Sequence, residues 1–428
     1  MTTLFEKIAP HIKDIIVSLQ KSGYKAYVVG GAIRDILLGR IPKDYDISTS
    51  ATPEQVHCVF RKRHCIIIGR RFRLVHLFCS GSEIVEISTF RRCPNAKTAQ
   101  SPFLDAPEHL IFRDNEYGTP EEDAHRRDFT VNALFYDPVK DEILDYTGLG
   151  LQDIRDGIVR CIGKPDLRFE EDPIRMLRAL KLVGQFGFVM EPETEASLKQ
   201  SIPLIVHSSV SRMNLEVEKI LKNPYGDKIL EVFRNFGFLK YVLPVLDSLL
   251  DTPHGKYWLN LMRKRCERIR EGKYRFSMSL VLALFTIPFA ELKSGNQPGG
   301  LWKITSDGVW NNDEELEDFL YDVMKYIFTP HAFTNVDKKN AVTNLLLQPH
   351  LRCTSNAEEY SKLIGYANAR ELAVIQNEVA WNIPDFETIC PPGNPNIVFR
   401  SGKRKNKNSF FARKKKKKQT EPQELETK

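Results

Sequence analysis

At 428 residues the chain is too long for one ordinary core, and its 42% apolar and 27% charged residues are those of a soluble protein of two or three domains. The eight cysteines stand singly with no C-x-x-C pair, which excludes a zinc site or redox pair of that kind and fits free, mostly buried thiols in a reducing cytoplasm. The net charge of +7 is concentrated at one end: residues 401–428 hold 11 Lys+Arg against 3 Glu, a surplus of +8, and the first 400 residues sum to −1.

In chain order, Leu4, Phe5, Ile8, Ile12, Ile15, Ile16 and Leu19 recur at helical spacing, which predicts one amphipathic helix rather than a signal peptide. "KAYVVGGAIRDILLG" predicts a strand, a Gly-Gly turn and a helix closed by Gly39. "PKDYDISTS" and "GSEIVEISTF" predict short strands, "ATPEQVHCVFRKR" a helix opened by Thr52 and Pro53, and "RFRLVHLFC" an alternating strand. Residues 92–116, polar and with three prolines, predict a long mobile loop. From about residue 150 the period becomes helical, in "EEDPIRMLRALKLVGQF", "VSRMNLEVEKILKN", "DKILEVFRNFGFLKYVLPVL" and further segments to about residue 382. "SMSLVLALFTIPFA" is too short to span a bilayer and contains Pro288; it predicts a buried helix, and no membrane partner is expected. The predicted fold is an α/β head with a small mixed sheet (1–145), a helical neck (146–225), an all-helical body (226–395) and a disordered basic tail (396–428).

The chemistry concentrates in "GGAIRDILLGRIPKDYDIST", residues 30–49. Placed on a strand, Asp44 and Asp46 would point to one face, where two carboxylates repel unless a hard cation such as Mg²⁺ lies between them. A polar turn with an Asx bond is the alternative for an isolated D-x-D. Gly30 and Gly31 follow a strand and open a helix, where backbone N–H groups can approach a phosphate; a tight turn needing positive φ would also require glycine. Arg34, one turn into that helix, could face the same anion, or stand as a solvated arginine or a partner for Asp35 or Asp44. Glu86, flanked by Val85 and Ile87 in a strand, is a costly place for an unpaired carboxylate. A shared metal explains it, and an ion pair with Arg71, Arg73 or Arg91 is the alternative.

These residues, with "EEDAHRRDFTVNALFYD", "YTGLGLQDIRDGIVRCIG" and "RFEEDPIRMLRALKLVGQFGF" in the same order, resemble the class II nucleotidyltransferases, the superfamily of CCA-adding enzymes and bacterial poly(A) polymerases. The resemblance is dense over about residues 20–190. It implies that Asp44 and Asp46 bind metal with Glu86 as third carboxylate, and that Asp128 is a further candidate catalytic carboxylate, with an ion pair to Arg126 or Arg127 as its alternative. It also implies that Arg126, Arg127, Asp128 and Asn132 hold nucleotide sugar and phosphates, that Asp172 and Arg175 read the base edge, and that Arg178 contacts phosphate. Asp172 before Pro173 could equally cap a helix.

"GRRFRLVHLF" and "LIFRDNEYGTPEEDAHRRDF" resemble the poly(A) polymerase form of the superfamily. The expected activity is therefore template-independent addition of AMP from ATP to RNA 3′ ends, using two Mg²⁺ ions or Mn²⁺ in their place, by a cytoplasmic monomer. CCA addition to tRNA is the alternative, and a non-catalytic RNA-binding protein on the same fold is an alternative of another class. The tail, with Lys403, Arg404, Lys405, Arg413, Lys414 and Lys415, is expected to bind RNA phosphates, or else to serve only solubility.

Overall fold

Gly-Gly after a buried apolar strand sets the pattern of the head. In the computed structural model, which describes residues 4–69, 73–79, 83–93, 116–300, 313–352, 360–363 and 365–393, the chain divides into two compact units, residues 1–212 and 213–428. The first unit begins with two helices instead of one, α1 (Leu4–Lys7) and α2 (Pro10–Lys21), because Pro10 occupies the first turn of α2 and cannot continue α1. Ile12, Ile15, Ile16 and Leu19 form the buried face of α2.

Then come β1 (Ala26–Val29), α3 (Gly31–Leu37), β2 (Asp46–Thr49), α4 (Pro53–Val59), β3 (Cys65–Ile68), β4 (Leu74–Phe78) and β5 (Ile84–Thr89). They continue with α5 (Pro120–His125), a 3₁₀ turn Thr130–Asn132, β6 (Phe135–Asp137) and β7 (Glu142–Leu144). α4 starts as Thr52-Pro53 leads one to expect, with a capping box between Thr52 and Gln55. The strands form one mixed sheet in the order β3-β4-β5-β2-β1-β6-β7, in which only β2 and β5 run parallel. Alternation puts Ile47, Val75, Leu77, Val85 and Ile87 in the core. A second cluster of Tyr27, Val29, Phe90, Ala124 and Phe135 seats α5 on the sheet.

The unit closes with α6 (Gly150–Asp156), the parallel pair β8 (Ile158–Val159) and β9 (Val189–Met190), α7 (Pro165–Glu171), α8 (Ile174–Phe186) and α9 (Pro192–Ser201). α10 (Val210–Lys222) leads into the second unit, which is helical throughout its described residues. There Pro244 and Gly237 divide "DKILEVFRNFGFLKYVLPVL" into Gly226–Asn235, Leu239–Val242 and Pro244–Leu249. Met278–Lys293, the stretch too short for a membrane, is the buried central helix, with every side chain from Met278 to Glu291 inside. Among the described residues no helix is long and apolar enough to cross a membrane, and every cysteine is free. Residues 94–115, most of the predicted loop, and the whole tail from 396 lie outside the described residues.

Candidate active site

Strand pairing assembles the site. Val29, the last residue of β1, lies opposite Asp46, the first of β2, so the Gly30–Gly31 turn sits beside that carboxylate. Gly30 has φ +76°, and a Cβ there would stand 3.2 Å from Arg127 Nη1. The positive φ favours glycine there, and a side chain would also press on the Arg127 guanidinium. The Gly30 N–H donates to the Leu134 carbonyl at 3.1 Å and so is not a bare donor. Gly31, as the first residue of α3, has no helical carbonyl to bond.

Asp46 and Glu86 are direct partners in the parallel β2–β5 pair, so both side chains leave the same face. His76 is the partner of Glu86 across β4–β5, and its Nε2 lies 3.2 Å from Glu86 Oε1. Of the arginines weighed as partners for Glu86, Arg73 pairs with Glu54 and Arg71 lies outside the described residues. Asp46 retains an exposed edge, yet the protein crowded around its carboxyl group, then the charges of Glu86 and Asp44, push its pKa from 3.8 up to about 6. Asp44 lies on exposed chain before β2, and the expected pair of strand positions is not formed. Its charge nevertheless acts on Asp46. Among the described residues no three His, Cys, Asp or Glu side chains converge on one point. Two carboxylates that repel one another are what a hard divalent cation relieves, and Mg²⁺ takes one or two protein carboxylates and completes its shell with phosphates and water. The donor set fits.

Beside the acids runs a chain of polar contacts. Arg34 is 9% exposed and lies over the Phe186 ring, its Cζ 4.5 Å from the centroid. It bonds Asp35, as one alternative held, and donates from Nη1 to Asn132 Oδ1 at 2.5 Å. Asn132 Nδ2 donates to Asp128 Oδ1 at 3.2 Å, and Arg178 Nε stands 2.7 Å from Asp128 Oδ2. Burial pushes Asp128 up, but Arg178, Asn132, the Phe129 N–H and Arg175 together pull it below the ordinary carboxylate range. Its ion-pair partner is thus Arg178 on α8, and neither of its chain neighbours. Arg127 donates to Asp123 Oδ2 at 3.0 Å and to Ser48 Oγ at 3.3 Å, and Arg126 approaches Asp123 at 3.9 Å.

At the α7–α8 corner, Asp172 is not a side-chain cap, since Pro173 takes the cap position. Instead Arg212 grips the Asp172 carboxylate with two parallel bonds of 2.9 and 2.8 Å. Arg175 bonds Glu171 Oε2 at 3.0 Å and the Arg168 carbonyl at 2.6 Å, so Asp172 and Arg175 are held by different partners.

Residues 26–160 match the model of the Poly A polymerase head domain, and residues 187–250 that of the "Probable RNA and SrmB- binding site of polymerase A". The chain is 39% identical over 235 residues to Poly(A) polymerase I of Haemophilus influenzae, covering 55% of this chain and 51% of the relative. It is also 39% identical over 228 residues to the CCA-adding enzyme of Geobacillus stearothermophilus, covering 53% of each. Over these regions the chain is similar to poly(A) polymerases and to CCA-adding enzymes alike. It spans about half the length of these two curated relatives. The fold is that of a solved Bacillus stearothermophilus CCA-adding enzyme in complex with CTP, at TM-score 0.50 and 24% identity over 89% of this chain and 97% of that one.

Three contacts of the site escaped sequence reasoning: His76 on Glu86, Arg212 on Asp172, and Arg168, whose Nη2 donates to the carbonyls of Arg126 and Arg127. His76 had a signal, for it alternates with the buried Val75 and Leu77 and so lies on the other face of the strand. Arg212 had none, being 40 residues from its partner. The tail residues Lys403, Arg404, Lys405, Arg413, Lys414 and Lys415 lie outside the described residues.

Proposed function

We propose that the chain is a poly(A) polymerase that adds AMP from ATP to RNA 3′ ends without a template, as a monomer in the cytoplasm. The observation that carries nucleotidyl transfer is the side-by-side pair Asp46 and Glu86 next to the Gly30–Gly31 turn. Two Mg²⁺ ions held by Asp44, Asp46 and Glu86, or Mn²⁺ in their place, would supply a lowered pKa for the RNA 3′-hydroxyl and neutralise the triphosphate. Arg127, whose guanidinium lies close to Gly30, and Arg126 would receive phosphates, and Asn132 links Arg34 to Asp128, which sets Arg178 by its ion pair. Reading of the base edge is assigned to Asp172 and Arg175, at the corner where α8 begins. The 3′-hydroxyl oxygen bonds to the α-phosphorus as the bond to the bridging oxygen breaks, and pyrophosphate leaves.

Adenine addition is favoured over CCA addition by the form of the β4 segment "FRLVHLF", where CCA-adding enzymes usually carry a Phe-Gly-Thr type segment. CCA addition is kept as the second reading because a CCA-adding enzyme matches at equal identity. Incubation with a 3′-hydroxyl RNA, Mg²⁺ and each NTP alone tests this. A long ladder with ATP supports the polymerase. A few nucleotides that depend on CTP and tRNA mean CCA addition, and no product with any NTP means a non-catalytic RNA-binding protein.

A further inference from the structure

Arg168 lies on α7, before the corner, and none of the roles above belongs to it. Its guanidinium is buried, the residue being 6% exposed. Nη2 donates to the carbonyl oxygens of Arg126 and Arg127 at 2.6 and 2.8 Å, and Nη1 donates to Glu171 Oε2 at 2.7 Å. The same Glu171 oxygen accepts Arg175 Nη1 at 3.0 Å, and Arg175 Nη1 also donates to the carbonyl of Arg168 itself at 2.6 Å. One buried group thus holds the backbone from which the Arg126 and Arg127 side chains project, and through Glu171 the first turn of the helix that carries Arg175 and Arg178. The planar fork of arginine meets three oxygens in fixed directions, which a lysine ammonium does only loosely. Burying a guanidinium is expensive and a buried ion pair is weak grounds for stability, so folding alone is a poor reason for it.

We propose that Arg168 is a positioning residue that fixes the register between base recognition by Asp172 and Arg175 and phosphate binding by Arg126 and Arg127. The inference deepens the function proposed above and rests on it. With the tie intact, only a base that fits against Arg175 brings its α-phosphate to the acids in the right place. With the tie cut, the two halves of the nucleotide are bound with less regard to each other, and discrimination between bases falls while the phosphate site survives.

The test uses the full chain and the variants Arg168→Met, Arg168→Lys, Glu171→Gln and the double variant Arg168→Met/Glu171→Gln. Two quantities are measured: kcat/KM for ATP and for CTP on one 3′-hydroxyl RNA, and the inhibition constant of inorganic tripolyphosphate. The ATP-over-CTP ratio is expected to fall about tenfold in Arg168→Met and less in Arg168→Lys, with the tripolyphosphate constant within about twofold of wild type. Glu171→Gln should lower the ratio as well, and the double variant should be no worse than Arg168→Met, because both changes cut one tie. If Arg168→Met does not fold, Arg168→Lys and Glu171→Gln decide. An unchanged ratio in these two overturns the inference. So does a ratio that falls only in proportion to the tripolyphosphate constant and the melting temperature, which is the mark of a merely structural residue. Wild-type protein without preference for ATP would overturn the polyadenylation reading, and this inference with it, before any variant is compared.

Discussion

Asp46 carries its charge against burial and two like-charged neighbours. Its pKa, pushed up to about 6 by burial and by Glu86 and Asp44, lies above the 3.8 of a free aspartate. The stability linked to its proton is therefore fully present below about 3.8, declines as pH rises, and is gone above about 6. Asp46→Asn should accordingly melt higher than wild type at pH 7.5 in EDTA. With the carboxylate's exposed edge discounted for solvent screening, the gain is about 1 kcal/mol, or roughly 2–4 °C. The gap should narrow at pH 5, and added Mg²⁺ should narrow it from the other side by stabilising wild type alone. Scanning calorimetry under the three conditions checks this; a variant that melts lower than wild type at pH 7.5 contradicts it. The same substitution should abolish nucleotide addition. Asp128 behaves in the opposite way, because Arg178 and Asn132 hold it low, so its contribution is present above the ordinary aspartate value and is lost as pH falls through its lowered pKa. Arg178→Ala leaves that buried carboxylate without its cation. The cost should be about 2–3 kcal/mol, short of the 3–5 of a fully buried pair because Arg178 is half exposed. A urea melt measures it, and Asp128→Asn in the same background should recover most of the loss.

At the scale of elements, the short helix α5 carries more than its length implies. Thr119 caps it and shares a capping box with Glu122, and Asp123 reaches from its first turn to Arg127 Nη2 and to the Arg91 N–H. Thr119→Ala should cost about 1 kcal/mol, as a lost cap does. It should also raise the KM for ATP, because Arg127 is aimed through Asp123; a fall in melting temperature with unchanged KM would separate the two effects. The cap was there to be found in the sequence, as were the alternating strands β4 and β5 and the turn at Gly30, since each is specified by residues within a few positions of one another. The breaks were harder. Pro10 splits the first helix, and Pro173 turns "EEDPIRMLR" into a corner between α7 and α8, with Pro173 and not Asp172 at the cap position of α8. Long-range partners were not legible at all. Asp128 meets Arg178 and Asp172 meets Arg212 because the fold brings them together, and no local pattern specifies which of several arginines a carboxylate will find.

At the scale of the whole chain, the charge distribution bears on how RNA is held. The first 400 residues are nearly neutral, and within the second unit the buried Arg268 is paired with Glu371, Glu378 and Glu387. A surface with little net charge attracts a polyanion weakly at long range, whereas a segment with a surplus of +8 attracts it strongly. Removing residues 401–428 should therefore leave the chemical step intact, since every residue placed in the site, Arg212 included, lies before residue 213, and should weaken RNA binding. The loss should be largest at low salt, and the slope of log affinity against log salt should fall by roughly 0.7 for each phosphate contact removed on single-stranded RNA. Phe410 and Phe411 add a term without salt dependence if bases stack on them. Replacing both by alanine should weaken binding at every salt concentration while leaving the slope as it was. Filter binding between low and moderate salt, on intact, truncated and Phe→Ala proteins, reads all of this. Unchanged affinity and unchanged slope after truncation would mean that the basic run serves solubility and that RNA is held by local groups elsewhere in the chain.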